Sequence, residues 1–147
     1  LAERTVDHLA QRLRTRVRST DRVVRIGHRC LGLVLTGAPA RGTIRYRTLV
    51  SAPLTDSDEI TCGVAMMEAG DTFALHSHPQ AEVYFGLEGE GEVMIDGTPH
   101  RLAPGVALYI PGGAVHGVPL AKAPLKWFYT FAADSFSDID YRFQHET

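Results

Sequence analysis

The sequence predicts an all-β fold, an antiparallel sandwich or barrel. Three observations carry this. From Thr43 onward, short apolar-rich segments recur at even spacing, each bounded by Gly, Pro or Asp. No helical pattern interrupts them. Within them, Asp96-Gly97 in EVMIDGTPHRL is a strong signal for a two-residue hairpin turn. A length of 147 residues suits one domain, and 44% hydrophobic residues can fill a core.

Taken in order, the chain opens with VDHLAQRLRTRV, where Val6, Leu9, Ala10, Leu13 and Val17 fall on one helical stripe. This predicts an α-helix over about 4–18. Residues 22–35 are β-branched and leucine-rich, and their pattern decides nothing. TGAPARG, 36–42, is a turn or linker. Strands are expected at 43–50, 60–68, 72–77, 81–87, 91–95, 98–102, 106–110, 114–118 and 125–131. The organisation is therefore an N-terminal helical or extended arm, 1–42, followed by a β-barrel domain, 43–147.

Charge is divided unevenly. Residues 1–50 carry eleven arginines against Glu3, Asp7 and Asp21, so this part is +8, the remainder −10 and the whole −2. A basic arm can touch nucleic acid or anionic lipid. No aromatic is interleaved with the early arginines and no nucleic-acid motif is present, which favours a solvated helix face packed on the acidic remainder. No run of eighteen apolar residues exists, so no membrane span is expected. No signal peptide is visible. Cys30 and Cys62 fit no disulfide framework or CxxC motif and read as buried reduced thiols in a cytoplasmic protein.

The chemistry concentrates in GDTFALHSHPQAEVYFGLEG, Gly70 to Gly89. Along a strand, side chains two apart share a face, so His76 and His78 point one way. Glu82 and Tyr84 share a face on the next strand, past the turn at Pro79-Gln80. Pairing of those strands as a hairpin would bring both sets together, two imidazoles and a carboxylate around a divalent transition metal. His116, after the Pro-Gly-Gly turn in GVALYIPGGAVHG, supplies a further imidazole. A lone histidine in a strand is usually packed or solvated. Two at i, i+2 with a glutamate four residues on are much harder to obtain by accident.

These stretches read Gly70-x5-His76-x-His78-x3-Glu82-x6-Gly89 and Gly105-x5-Pro111-x-Gly113-x2-His116, fifteen residues apart. They resemble the two signature motifs of the cupin superfamily, with Leu120 where a final Asn is frequent. The resemblance implies a jelly-roll (double-stranded β-helix) barrel holding one divalent transition metal ion per subunit on His76, His78, Glu82 and His116. Fe(II) or Mn(II) is favoured, and Ni(II), Co(II) and Zn(II) are tolerated by the same donors. The glycines sit where the chain must turn sharply.

TIRYRTLV, LHSHPQAEVYFGLEGEG and WFYTFAADSFSDIDYRF together resemble the bacterial cupin dimethylsulfoniopropionate lyases over about residues 43–143. That family cleaves the osmolyte to dimethyl sulfide and acrylate. The resemblance implies that Tyr84 is the base and that Tyr141 helps to hold or activate substrate, with Tyr46 near a pocket tyrosine. Tyr84 could equally be a plain core aromatic. Burying a phenol without a partner is costly, however, and beside a dication a pKa of ~10 shifts toward phenolate. Trp127, Tyr129 and Phe131 share a face by period two and are candidates for an aromatic wall around a sulfonium; simple core or dimer packing is their ordinary explanation. His8, His28, His100 and His145 lie outside both motifs. The implied partners are a small carboxylate substrate such as the osmolyte and a second copy in a homodimer, without nucleic acid or membrane. Two alternatives keep the fold: an Fe(II)- and O₂-dependent cupin dioxygenase, and a non-catalytic cupin that binds metal or a small ligand.

Overall fold

The computed structural model describes residues 42–144 and the backbone of two earlier strands, 22–27 and 30–34. The helix expected over 4–18, the segment 36–41 and the ends of the chain lie outside the described residues. The strands are β1 (Arg22–Gly27), β2 (Cys30–Val34), β3 (Arg45–Val50), β4 (Thr61–Met67), β5 (Phe73–Ser77), β6 (Glu82–Gly89), β7 (Gly91–Ile95), β8 (Thr98–Leu102), β9 (Ala107–Ile110), β10 (His116–Val118), β11 (Leu125–Phe131) and β12 (Arg142–Phe143). All nine strands expected from Thr43 to Phe131 are present, most with boundaries within about two residues. Three small elements were not anticipated. They are a single helical turn α1 (Ala52–Thr55), a 3-10 turn at Phe136–Asp138, and β12.

Two five-stranded antiparallel sheets face each other. The first runs β12-β5-β10-β7-β8 and the second β3-β4-β11-β6-β9, while β1 and β2 pair separately. Alternation along each strand decides what lies between the sheets. In β11, Leu125, Trp127, Tyr129 and Phe131 are buried and the intervening residues are half-buried. Val93 and Leu102 from the first sheet and Ile110 from the second are fully buried. Burial of each such side chain stabilises by about 1.5–3 kcal/mol.

The hairpin predicted at Asp96-Gly97 joins β7 to β8 and pairs Ile95 with Thr98. Asp96 has φ 47° and Gly97 φ 77°, the positive values that a type I′ turn needs at both central residues. The turn also fixes the start of β10. The Asp96 amide donates to the Val115 carbonyl (2.8 Å), and the Val115 amide donates to Asp96 Oδ1 (2.8 Å).

One expectation is overturned. β5 and β6 do not form a hairpin: β5 pairs with β10 and β12, β6 with β11 and β9. Residues 78–81 carry the chain from one sheet to the other. The Pro111-Gly112-Gly113 turn clasps this crossover. The Gly113 amide donates to the His78 carbonyl (2.8 Å), and a Cβ on Gly112 would collide with the Pro79 carbonyl. Glycine at 112 is thus what lets the two motifs touch. Convergence of their polar residues survives, but across the space between the sheets.

Candidate metal centre and cavity

His76 on β5 stands directly opposite His116 on β10, with ring centroids 4.2 Å apart. His78 follows the end of β5, and Glu82 opens β6 on the facing sheet. All four are buried, between 1% and 5% exposed. One possible donor atom from each of the three histidines lies within 4.8 Å of the others, so this group could hold a metal ion.

Short hydrogen bonds orient every imidazole. Nδ1 of His76 donates to the Ala74 carbonyl (2.8 Å), Nδ1 of His78 to the Gln80 carbonyl (3.0 Å) and Nδ1 of His116 to the Ala114 carbonyl (3.0 Å). A carbonyl oxygen only accepts, so each proton sits on Nδ1 and each Nε2 is left as a potential ligand. Glu82 Oε2 lies 3.1 Å from His116 Nε2 and 3.4 Å from His78 Nε2. His78 Nε2 is buried and makes no hydrogen bond.

The charges define what this cluster needs. Burial, then the neighbouring His116, lowers the His76 pKa to about 3, so that ring is neutral at ordinary pH. Burial opposes ionisation of Glu82, but the adjoining imidazoles of His116 and His78 outweigh it and hold the carboxyl below its usual range. Imidazole lone pairs facing a buried carboxylate at 3.1 Å require a positive charge between them. A proton on one Nε2 supplies it, and so does a cation. With an orphaned Nε2 and three imidazoles and a carboxylate as donors, the residues fit a divalent transition metal ion.

Tyr84 lies two residues beyond Glu82 on the same face of β6 and is 2% exposed. Its ring is 6.2 Å from that of His116 and 5.4 Å from that of Trp127. In the protein alone, burial, followed by the charges of Glu82 and Tyr141, pushes its pKa well above the ordinary phenol value.

A cavity enclosing about 480 Å³, open mouth included, adjoins the cluster. His76 and Glu82 form its polar end, and Tyr84, Tyr46, Trp127, Tyr129 and Tyr141 line it. Every residue read from sequence as a base, substrate-holding group or aromatic wall therefore reaches one space. Trp127 Nε1 is buried without a hydrogen-bond partner. Tyr141 comes from the tail, its ring 5.5 Å from His76 and 5.3 Å from His78. β12 brings it there by pairing with β5, Phe143 opposite His76. Leu120, where the motif departs from its usual pattern, is 58% exposed.

Phe73, Phe136 and Phe143 also line the cavity and were not anticipated. The signal for Phe143 was available, since it follows Tyr141 at the same period of two. The two rings are stacked with 14° between planes.

Comparison with known proteins gives concordant results. Residues 63–131 match the family model described as "Cupin domain". The chain is 43% identical over 105 residues to dimethylsulfoniopropionate lyase DddW of Ruegeria pomeroyi, covering 71% of this chain and 69% of that protein. It is 41% identical over 69 residues to the lyase DddQ of the same organism, spanning 46% of this chain and only 34% of that relative. The crystal structure of that DddQ superposes with a TM-score of 0.56 at 28% identity, covering 78% of this chain and 56% of the other. The polyketide cyclase RemF of Streptomyces resistomycificus, 19% identical with a TM-score of 0.60 over 71% and 72% of the two chains, shares the fold. Among the described residues, no helix is long and apolar enough to cross a membrane.

Proposed function

This chain belongs to the cupin family of dimethylsulfoniopropionate lyases, and from that premise we propose that it cleaves the sulfonium osmolyte, or a near analogue, to dimethyl sulfide and acrylate. The observation that carries the reading is Tyr84, buried on the cavity wall beside Glu82 and the three imidazoles.

A divalent ion held by His76, His78, Glu82 and His116 would supply a Lewis acid for the substrate carboxylate and a positive field that favours the phenolate of Tyr84. The remaining roles fall to side chains of the chain itself. Trp127 lends its spare Nε1–H to a carboxylate oxygen, the one end of the substrate that accepts hydrogen bonds. Tyr84 takes a proton from the carbon next to the carboxylate. The electrons of that C–H bond form the new C=C bond, and the C–S pair departs with sulfur as neutral dimethyl sulfide. The aromatic faces of Tyr46 and Tyr129 suit a sulfonium cation and exclude water from it. Tyr141 packs against the rings of His76 and His78 and helps to hold the substrate.

Detection of dimethyl sulfide in the gas phase above metal-loaded protein, against a metal-stripped control, tests the proposal. Its absence from the loaded protein removes the lyase reading. Assembly as a homodimer belongs to the same proposal. Phe85 and Tyr109, 40% and 66% exposed on the outer face of the second sheet, supply apolar surface for it, and sedimentation equilibrium is the check.

A further inference from the structure

Tyr129 lies flat against its own sheet because of what β4 lacks. Its register partner there is Gly63, which is itself opposite Thr48 on β3. A Cβ on Gly63 would overlap the Tyr129 hydroxyl and stand 2.7 Å from Cζ, closer than real Cβ contacts allow. The ring passes over the glycine and brings its hydroxyl to 3.4 Å from the Thr48 hydroxyl, a buried contact that spans three strands. Sideways escape is closed by Phe131, stacked at 6.0 Å, and by Phe136 at 5.9 Å.

We propose that Gly63 is a positioning and specificity-determining residue: by letting Tyr129 lie flat, it sets the depth of the cavity and so the size of the alkyl groups accepted on the sulfonium. The choice of a sulfonium rests on the lyase reading above; the geometry of the floor does not. A Cβ at 63 must displace either the ring or the Arg47 carbonyl; a ring that yields moves by roughly 1 Å toward ordinary contact distance, into the cavity. Space for about one methylene is worth about 10- to 200-fold in discrimination.

The test uses trimethylsulfonium and triethylsulfonium binding to the metal-loaded protein, read from the emission of Trp127. It is the single tryptophan of the chain and lies in the cavity wall. Gly63→Ala should weaken triethylsulfonium at least about tenfold more than trimethylsulfonium. Tyr129→Ala, with the glycine retained, should move the ratio the other way, and the double variant should recover binding of the larger cation. A Cβ at 63 would also press on the Arg47 carbonyl, so Gly63→Ala alone could act by shifting β3. If Gly63→Ala does not fold, Tyr129→Ala decides. An unchanged ratio in Tyr129→Ala, equal weakening of both cations by Gly63→Ala, or failure of the wild type to bind either cation overturns the proposal. None of these readouts needs turnover. Loss of the size ratio with dimethyl sulfide still released removes this inference alone. A preserved ratio without dimethyl sulfide removes only the lyase.

Discussion

His116 sits directly across the β10–β5 ladder from His76, and both rings are held through Nδ1 by the carbonyl two residues before them. Two adjacent strands thus present imidazoles in the same tautomer toward one point. His116→Ala should abolish stoichiometric metal binding, measured by elemental analysis after dialysis, with the fold retained by circular dichroism. Full metal occupancy in that variant would show that the cluster is not the site. Chelation of wild-type metal should also lower the melting temperature, because a ligand at about 100-fold its Kd stabilises by about 2.7 kcal/mol.

The depressed pKa of His76 has a definite sign in stability. A histidine at about 3 in the folded protein titrates near 6.5 when unfolded, so below pH 6.5 the unfolded chain binds the extra proton. Metal-free protein should lose stability as pH falls from 6.5 toward 3, at up to about 1.4 kcal/mol per pH unit. The Glu82 contribution runs later, being lost only as pH falls through its own lowered folded value, below 4.5. Urea midpoints at pH 7, 6 and 5 measure the first window. His76→Asn should flatten it, and a wild-type profile that is already flat would contradict the burial argument.

Replacing Tyr84 by Phe removes the proposed base and little volume. Dimethyl sulfide release should fall by about 10²- to 10⁴-fold in kcat, while metal content stays at the wild-type level. Equal loss of metal and activity would reassign Tyr84 to holding the centre together.

Elimination consumes no oxygen. Turnover in an anaerobic chamber should equal that in air. Dependence on O₂ would instead support the dioxygenase that the same four donors could serve.

The spare donor of Trp127 makes a separate prediction. Trp127→Phe keeps an aromatic wall and removes one hydrogen bond to a charged group, worth about 1.5–3 kcal/mol. KM for the carboxylate substrate should rise by about ten- to a hundredfold, with little change in binding of trimethylsulfonium, which has no acceptor, measured by titration calorimetry. Parallel weakening of both would mean that the ring face, not its N–H, makes the contact.

Much of this was legible because strands announce their faces. Parity alone places His76 with His78 and Glu82 with Tyr84, and it puts Trp127, Tyr129 and Phe131 on one wall, as the folded protein has them. Partnership was harder. A period of two says which side of a sheet a residue occupies, not which strand lies next to it, so it does not tell a hairpin turn at 78–81 from a crossover. In the tail, the family resemblance singles out Tyr141 alone. Arg142–Phe143 is too short for any alternation to register, and only its pairing with β5 makes it a strand. Gly63 left no trace in the pattern either, since a missing side chain matters only once Tyr129 is seen lying over it.

The crossover has a last consequence. His76 and His116 ride on one layer, His78 leaves it at the crossover and Glu82 stands on the other, so for an ion held there the gap between layers would act as a gauge for ionic radius. That gap is set by core residues such as Val93, Leu102 and Ile110, none of which is a donor. Preference among transition metals can therefore drift through repacking far from the ion, with every donor left unchanged.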